Sequence, residues 1–134
     1  MLRLTSGVAA VLAFISLCAA KAPAQSGAED YQHYCAVCHG PDGKGKETTW
    51  NGELPDLTRL SQTNGGRFPF KEVYDVVDGR NRSRWHQPQT GMPYWGFFFE
   101  PPEQNPKVQD PAVKAKVKSR ITAIVDYVRT LQEK

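Results

Sequence analysis

The chain has 134 residues, of which 40% are hydrophobic and 23% charged, and its formal net charge is +3. This length is enough for one small domain and not for two. The small net charge argues against a nucleic-acid partner, because such a partner requires a strong basic surface.

Residues 1–24 have the features of a cleaved secretory signal peptide. Arg3 gives a positively charged start, residues 8–20 form an uncharged apolar stretch, and residues 22–24 read Ala-Pro-Ala, a small-x-small cleavage site. The apolar stretch is short for a membrane span, so no stable membrane anchor is expected after cleavage. Residues 25–134 would then form the mature, exported domain.

A short helix is predicted over residues 27–38. Glu29 and Asp30 favour its N-terminal end, because negative charge there interacts well with the helix dipole. The sequence Gly-Pro-Asp-Gly at residues 40–43 predicts its end just beyond His39.

Residues 35–39 read Cys-Ala-Val-Cys-His, at the end of this helix. Two thiols at this spacing can add across the two vinyl groups of a haem, and the next histidine can bind its iron. The pattern therefore predicts haem c, with Cys35 and Cys38 as covalent tethers and His39 as the proximal iron ligand. The third cysteine, Cys18, would leave with the signal peptide. Because this haem is attached after export, the motif and the signal both indicate a bacterial periplasm.

The same five residues allow three other interpretations. A dithiol redox site is expected in a βαβ context, and no such alternation follows. A zinc site needs four ligands, and only His33 and His86 would remain as donors. A structural disulfide between Cys35 and Cys38 is geometrically poor.

The middle of the chain combines loops with one clear helix. Residues 44–60 have a loop-like composition, and residues 64–66 (Asn-Gly-Gly) indicate a turn. A helix is predicted around residues 71–78, with Gly79 at its C-terminal end. Its apolar residues have the helical spacing i, i+3, i+4 and are Val73, Val76 and Val77.

Residues 80–111 are rich in proline without a sustained period, so we expect them to be mostly loop. They contain Met92, the only methionine of the mature chain, between a glycine and Pro93. A lone methionine usually fills a gap in a core, but this loop position favours a distal iron ligand. Methionine in that role raises the reduction potential. His86 is the runner-up, and it would lower the potential.

The last segment has the clearest helical signal. Its apolar residues share one face, and charged residues such as Arg120 lie elsewhere. The apolar face consists of Val117, Ile121, Ile124, Val125, Val128 and Leu131. No alternating strand pattern occurs, so the chain is predicted to be all-α, with short helices and long loops. Such a chain has a thin core, which a covalently bound haem would complete.

Other residues are candidates for contacts with the haem or its ligands. A histidine bound to iron normally donates its other N–H to an acceptor, and the Pro55 carbonyl is the candidate for His39. The haem propionates require cationic or indole donors. The candidates for that role are Trp50, Arg67, Arg80, Arg82, Arg84 and Trp85. The aromatic residues between Tyr94 and Phe99 are expected to form the wall of the haem pocket.

Taken together, these motifs resemble those of class I monohaem cytochromes c, in particular small periplasmic bacterial members, over Gly27 to Lys134. The resemblance implies that Gly27 and Tyr31, before the first haem cysteine, pack against Ile124 and Tyr127 of the last helix. It also implies the Pro55 carbonyl as acceptor for His39. The Pro-rich segment 101–111 departs from a minimal member, because it is longer.

The sequence therefore predicts a periplasmic single-electron carrier, not an enzyme, whose partners are a dehydrogenase, an oxidase or another cytochrome. Lys44 and Lys46 would steer an acidic partner, although solubility explains them equally well. One alternative is a haem c subunit of a periplasmic dehydrogenase or oxidase complex. A less favoured one is a haem enzyme or gas sensor with an open sixth iron position.

Overall fold

A computed structural model describes residues 26–45, 54–80, 92–101 and 110–134. The predicted signal peptide lies outside the described residues. So do several candidate residues, namely Lys46, Trp50, Arg82, Arg84, Trp85 and His86.

The N-terminal helical segment is continuous and agrees with the predicted helix. It consists of α1 (Gly27–Asp30), a π-helical turn (Tyr31–Cys35) and α2 (Ala36–His39). Ser26 begins it with a capping box: its hydroxyl accepts from the Glu29 N–H at 3.2 Å, and the Glu29 carboxylate accepts from the Ser26 N–H at 3.1 Å. The segment ends at Gly40, whose φ of 77° favours glycine.

Two short elements precede the predicted central helix. Residues Leu57–Arg59 form a 3-10 turn and Leu60–Thr63 form α3. The prediction of a loop over residues 44–60 was therefore wrong at its C-terminal end. Asp56 caps the N-terminal end of this turn. Its carboxylate accepts hydrogen bonds from the Thr58 N–H at 2.9 Å and from the Thr58 hydroxyl at 2.6 Å. The central helix, α4 (Phe70–Asp78), is present as predicted and ends at Gly79 with a φ of 69°.

The last two helices are α5 (Trp95–Phe98) and α6 (Pro111–Thr130). The sequence analysis expected residues 80–111 to be mostly loop and did not predict α5. A helix of one turn is too short to show a helical period. Pro111 belongs to α6, because Asp110 caps that helix by accepting from the Ala112 N–H at 2.8 Å and Pro111 takes the first helical position.

Helix α6 packs against α1 and α4 and supplies much of the core. Five of the six residues of its predicted apolar face are buried: Val117, Ile121, Ile124, Val125 and Val128. A Cβ at Gly27 would overlap the Ala123 backbone, so the two helices touch there. The Tyr31 and Tyr127 rings lie 5.1 Å apart, and Tyr31 packs in one cluster with Ile124. These are the contacts that the family resemblance implied.

A buried ion pair joins the same two parts of the chain. Asp30 is only 1% exposed, and its two carboxylate oxygens accept from Arg120 at 2.6 and 2.7 Å. The Arg120 guanidinium also lies over the Phe99 ring at 4.0 Å. The sequence analysis predicted only that Arg120 lies outside the apolar face of the helix. Its pairing with Asp30 is shown by the structure alone.

The described residues contain helices, turns and irregular segments but no strand, in agreement with the all-α prediction. Among them, no helix combines the length and the apolar character needed to cross a membrane.

Candidate haem site

A cavity of about 530 Å³ lies between the N-terminal helical segment, residues 55–64, α4 and α6. Its volume is within the range of roughly 300–1,000 Å³ that is typical of cofactor sites. Its walls are mostly apolar, with side chains such as Leu57, Val73 and Val128. The three valines that predicted α4 serve this site, since Val73, Val76 and Val77 all line the cavity.

His39, at the end of α2, lines this cavity. Its Nδ1 atom is buried and has no hydrogen-bond partner in the described part of the chain. Burial lowers the pKa of the His39 imidazole, which favours the neutral form that binds metals. A buried polar atom without a partner costs about 1–3 kcal/mol, so it marks a position that calls for a polar partner.

The predicted acceptor for His39 lines the same cavity but is not hydrogen-bonded to the imidazole. Pro55 also lines the cavity, yet its carbonyl makes no hydrogen bond with His39 Nδ1 in this structure. The Pro55 assignment therefore stays a prediction for the haem-bound protein.

The two cysteines differ in their surroundings. Cys35 is 8% exposed and lines the cavity, and burial raises the pKa of its thiol to about 12, so the thiol is protonated at neutral pH. Cys38 is exposed and is not among the residues that line the cavity. Both thiols are free, which speaks against a disulfide between them.

Met92 lines the same cavity from the segment that precedes α5. It is partly buried and packs against a core cluster that contains Val77, Trp95 and Val125. Met92 and His39 lie far apart in sequence, and the fold brings both to one cavity. His86, the alternative ligand, lies outside the described residues.

The candidate groups for the propionates have different positions. Arg80 binds the carboxylates of Asp78 and Glu100 and does not line the cavity, so it is not a free donor for a propionate. Arg67 is exposed. The sequence analysis missed Thr63, Asn64 and Glu72, which line the cavity. No signal could have assigned them to the site, because Thr63 and Glu72 belong to no motif and the Asn64 motif indicates only a turn.

Two further observations concern possible metal binding and the candidate partner-binding lysine Lys44. In the ranges that the structure describes, no group of three or more His, Cys, Asp or Glu side chains is arranged to hold a metal ion. Lys44 forms an exposed ion pair with Glu133 at 2.7 Å.

The chain matches the family model for Cytochrome c over residues 24–132. It therefore belongs to the cytochrome c family and is a class I c-type cytochrome with the all-α fold of that class. Its cofactor is covalently attached haem c, and proteins of this family serve as electron carriers. Comparison with curated proteins and with solved structures gave no significant match.

The residues of the cavity fit a haem on three grounds. The walls are apolar, as a porphyrin plane requires, and the volume is that of a cofactor site. His39 lines the same cavity, and burial lowers the pKa of its imidazole, which favours the neutral form that binds metals. Cys35 brings a free thiol to the same cavity.

Proposed function

We propose that the protein is a periplasmic single-electron carrier in which Cys35 and Cys38 hold the haem and His39 and Met92 are its axial ligands. The observation that carries this proposal is that Cys35, His39 and Met92 line one apolar cavity of about 530 Å³. A methionine in the same cavity as the histidine of a haem motif is in keeping with the His/Met ligation of electron-transfer haems.

The bound haem supplies an iron that changes between Fe(III) and Fe(II). The same two ligands would stay bound in both oxidation states, because a neutral imidazole and a neutral thioether suit Fe(III) as well as Fe(II). His39 and Met92, both held to the iron, would leave no position on it for a substrate. The apolar walls keep water away and so limit rearrangement on electron transfer. Met92 would hold the potential above that of a bis-histidine site, and the Pro55 carbonyl would orient His39 by accepting its N–H.

The partners are proposed to be redox proteins that approach the edge of the haem next to Cys38. Cys38 is exposed, and the neighbouring Val37 is 68% exposed, so this side of the motif is accessible. Transient electron-transfer encounters use small, wet interfaces and depend on electrostatic steering. Lys46 would provide positive charge for an acidic partner, and Lys44 would do so by exchanging its exposed ion pair with Glu133 for one with the partner. The periplasmic location rests on the predicted signal peptide, residues 1–24.

A second candidate function, the haem c subunit of a periplasmic dehydrogenase or oxidase complex, is favoured by one observation. Phe97 and Phe98 of α5 are 58% and 61% exposed, and large aromatic residues at a surface often contact a partner. Co-purification of a larger periplasmic protein with the wild type, but not with a Phe97→Ser/Phe98→Ser variant, would support the subunit. A monomeric wild type under the same conditions would support the free carrier.

The test of the ligands is visible spectroscopy of the protein expressed where haem c is attached. We expect haem mass to remain after denaturation, and the oxidised protein to show a Met–iron charge-transfer band. Met92→Leu should lose this band and lower the reduction potential, whereas Val73→Leu, a change at another cavity residue, should keep both. A high-spin wild-type spectrum, or a band that persists in Met92→Leu, would contradict the assignment. The high-spin wild-type spectrum would instead favour an enzyme or gas sensor with an open sixth position.

A further inference from the structure

Arg80 makes a bridge between two carboxylates that are distant in sequence. Its Nε lies 2.9 and 3.1 Å from the Asp78 carboxylate oxygens, and its Nη1 lies 2.7 Å from Glu100 Oε1. Asp78 is the last residue of α4, and Glu100 follows α5. The three side chains are only 24%, 9% and 21% exposed. Charged hydrogen bonds shielded from water in this way are stronger than those of a typical surface pair.

Two glycines let α5 and the residues before it sit directly on the end of α4. A Cβ at Gly79 would overlap the Tyr94 ring, and a Cβ at Gly96 would overlap the Asp78 carboxylate and approach the Arg80 guanidinium. Larger residues at these positions would push the two parts apart. The bridge and the close contact therefore act at the same junction.

This junction determines where Met92 can lie. Met92 precedes Tyr94 by two residues, lines the cavity and packs against the core cluster to which Val77 and Trp95 belong. Val77 belongs to the end of α4 and Trp95 begins α5, so Met92 is held by both sides of the junction. Because α5 begins three residues after Met92, separation of α5 from α4 would draw Met92 away from the cavity, and the Arg80 bridge opposes that separation.

We propose that Arg80 is a positioning residue that keeps the Met92 thioether on the haem iron and hinders its replacement by external ligands. This inference rests on the proposed axial role of Met92. Local openings of a protein are governed by the contacts that must break in them. Loss of the bridge therefore raises the fraction of molecules in which the sixth iron position is accessible.

The experiment titrates the oxidised, haem-loaded protein with imidazole. Loss of the Met–iron charge-transfer band reports binding. Arg80→Gln removes both arms of the bridge, and Glu100→Gln removes only the arm to α5. Arg129→Gln is the matched control, because Arg129 pairs with Asp126 on the exposed side of α6. We expect Arg80→Gln to bind imidazole about tenfold more tightly than the wild type, since the charged hydrogen bonds to both Asp78 and Glu100 are lost. Glu100→Gln should show a smaller increase, and Arg129→Gln should show none.

A purely structural role would lower the denaturation midpoint of Arg80→Gln without changing its imidazole affinity, and that result would overturn the inference. If Arg80→Gln does not accumulate as a haem protein, an unchanged affinity in Glu100→Gln overturns it equally. A wild type without the Met–iron band overturns the proposed ligation and this inference with it. A normal wild-type band with equal affinities in all variants overturns the role of Arg80 alone.

Discussion

Asp30 illustrates how much a single buried charge can matter in a chain with a small core. Its carboxylate is 1% exposed and is satisfied by Arg120, ninety positions further on. The guanidinium in turn rests on the ring of Phe99, so that helices α1 and α6 and the residue after α5 meet at one charged contact. The pKa of Arg120 is raised, mainly by its hydrogen bonds to Asp30, in keeping with a cation that its partner stabilises.

Arg120→Met is expected to lower the free energy of unfolding by about 3–5 kcal/mol, because it leaves the Asp30 carboxylate buried without a partner. Denaturant unfolding of the haem-loaded protein measures this. The control is Arg129→Met, whose ion pair with Asp126 is largely exposed and should cost no more than about 1 kcal/mol. Equal losses in the two variants would show that the buried pair has no special role.

Among the elements, the contact between α1 and α6 depends on the absence of a side chain at Gly27. We expect Gly27→Ala to lower the free energy of unfolding by about 1–3 kcal/mol, because the added methyl group would overlap the Ala123 backbone and force the helices apart. Ala115→Ser, an exposed change on α6, should stay within about 0.5 kcal/mol of the wild type. Denaturant unfolding compares them, and a neutral Gly27→Ala would mean that the helices adjust freely.

A residue just after α6, Gln132, also holds one wall of the cavity. Gln132 accepts from the Ser61 N–H at 2.8 Å and donates to the Leu57 carbonyl at 2.6 Å, which ties the 3-10 turn and α3 to the C-terminus. Gln132→Ala should therefore cost about 1–3 kcal/mol in the free energy of unfolding, because two backbone groups lose their partner. Gln62→Ala, which removes one exposed hydrogen bond with Arg59, should cost clearly less. An equal effect of both changes in thermal or denaturant unfolding would contradict this role of Gln132.

At the scale of the whole molecule, the haem is expected to be part of the core. Without its cofactor, the mostly apolar wall of the cavity would face water instead of a porphyrin, a serious loss for a small domain whose total stability is only about 5–15 kcal/mol. Cys35→Ser/Cys38→Ser should therefore release haem on denaturation and lose most of its helical circular dichroism when haem-free. Cys38→Ser alone should retain haem through Cys35. Cooperative unfolding of the haem-free double variant would contradict the prediction that the haem is part of the core.

Local signals in the sequence predicted the main helices well. The apolar spacing of Val73, Val76 and Val77 and the long apolar face of α6 gave correct helices, because a regular period repeats the same information over several turns. The one-turn helices α3 and α5 were missed, since four residues carry no period and tertiary contacts decide them. Trp95 of α5, for example, is buried against Phe99 and Tyr34.

The sequence by itself determined the family chemistry, since two cysteines and a histidine at fixed spacing need no fold to be recognised as a haem attachment motif. It also determined the all-α class, because periodicity is a local property. Only the tertiary structure decided that Met92 and His39 share a cavity, that Asp30 pairs with Arg120 and that Arg80 joins the ends of α4 and α5. These are contacts between residues distant along the chain, and they depend on how the helices pack rather than on any neighbouring residue.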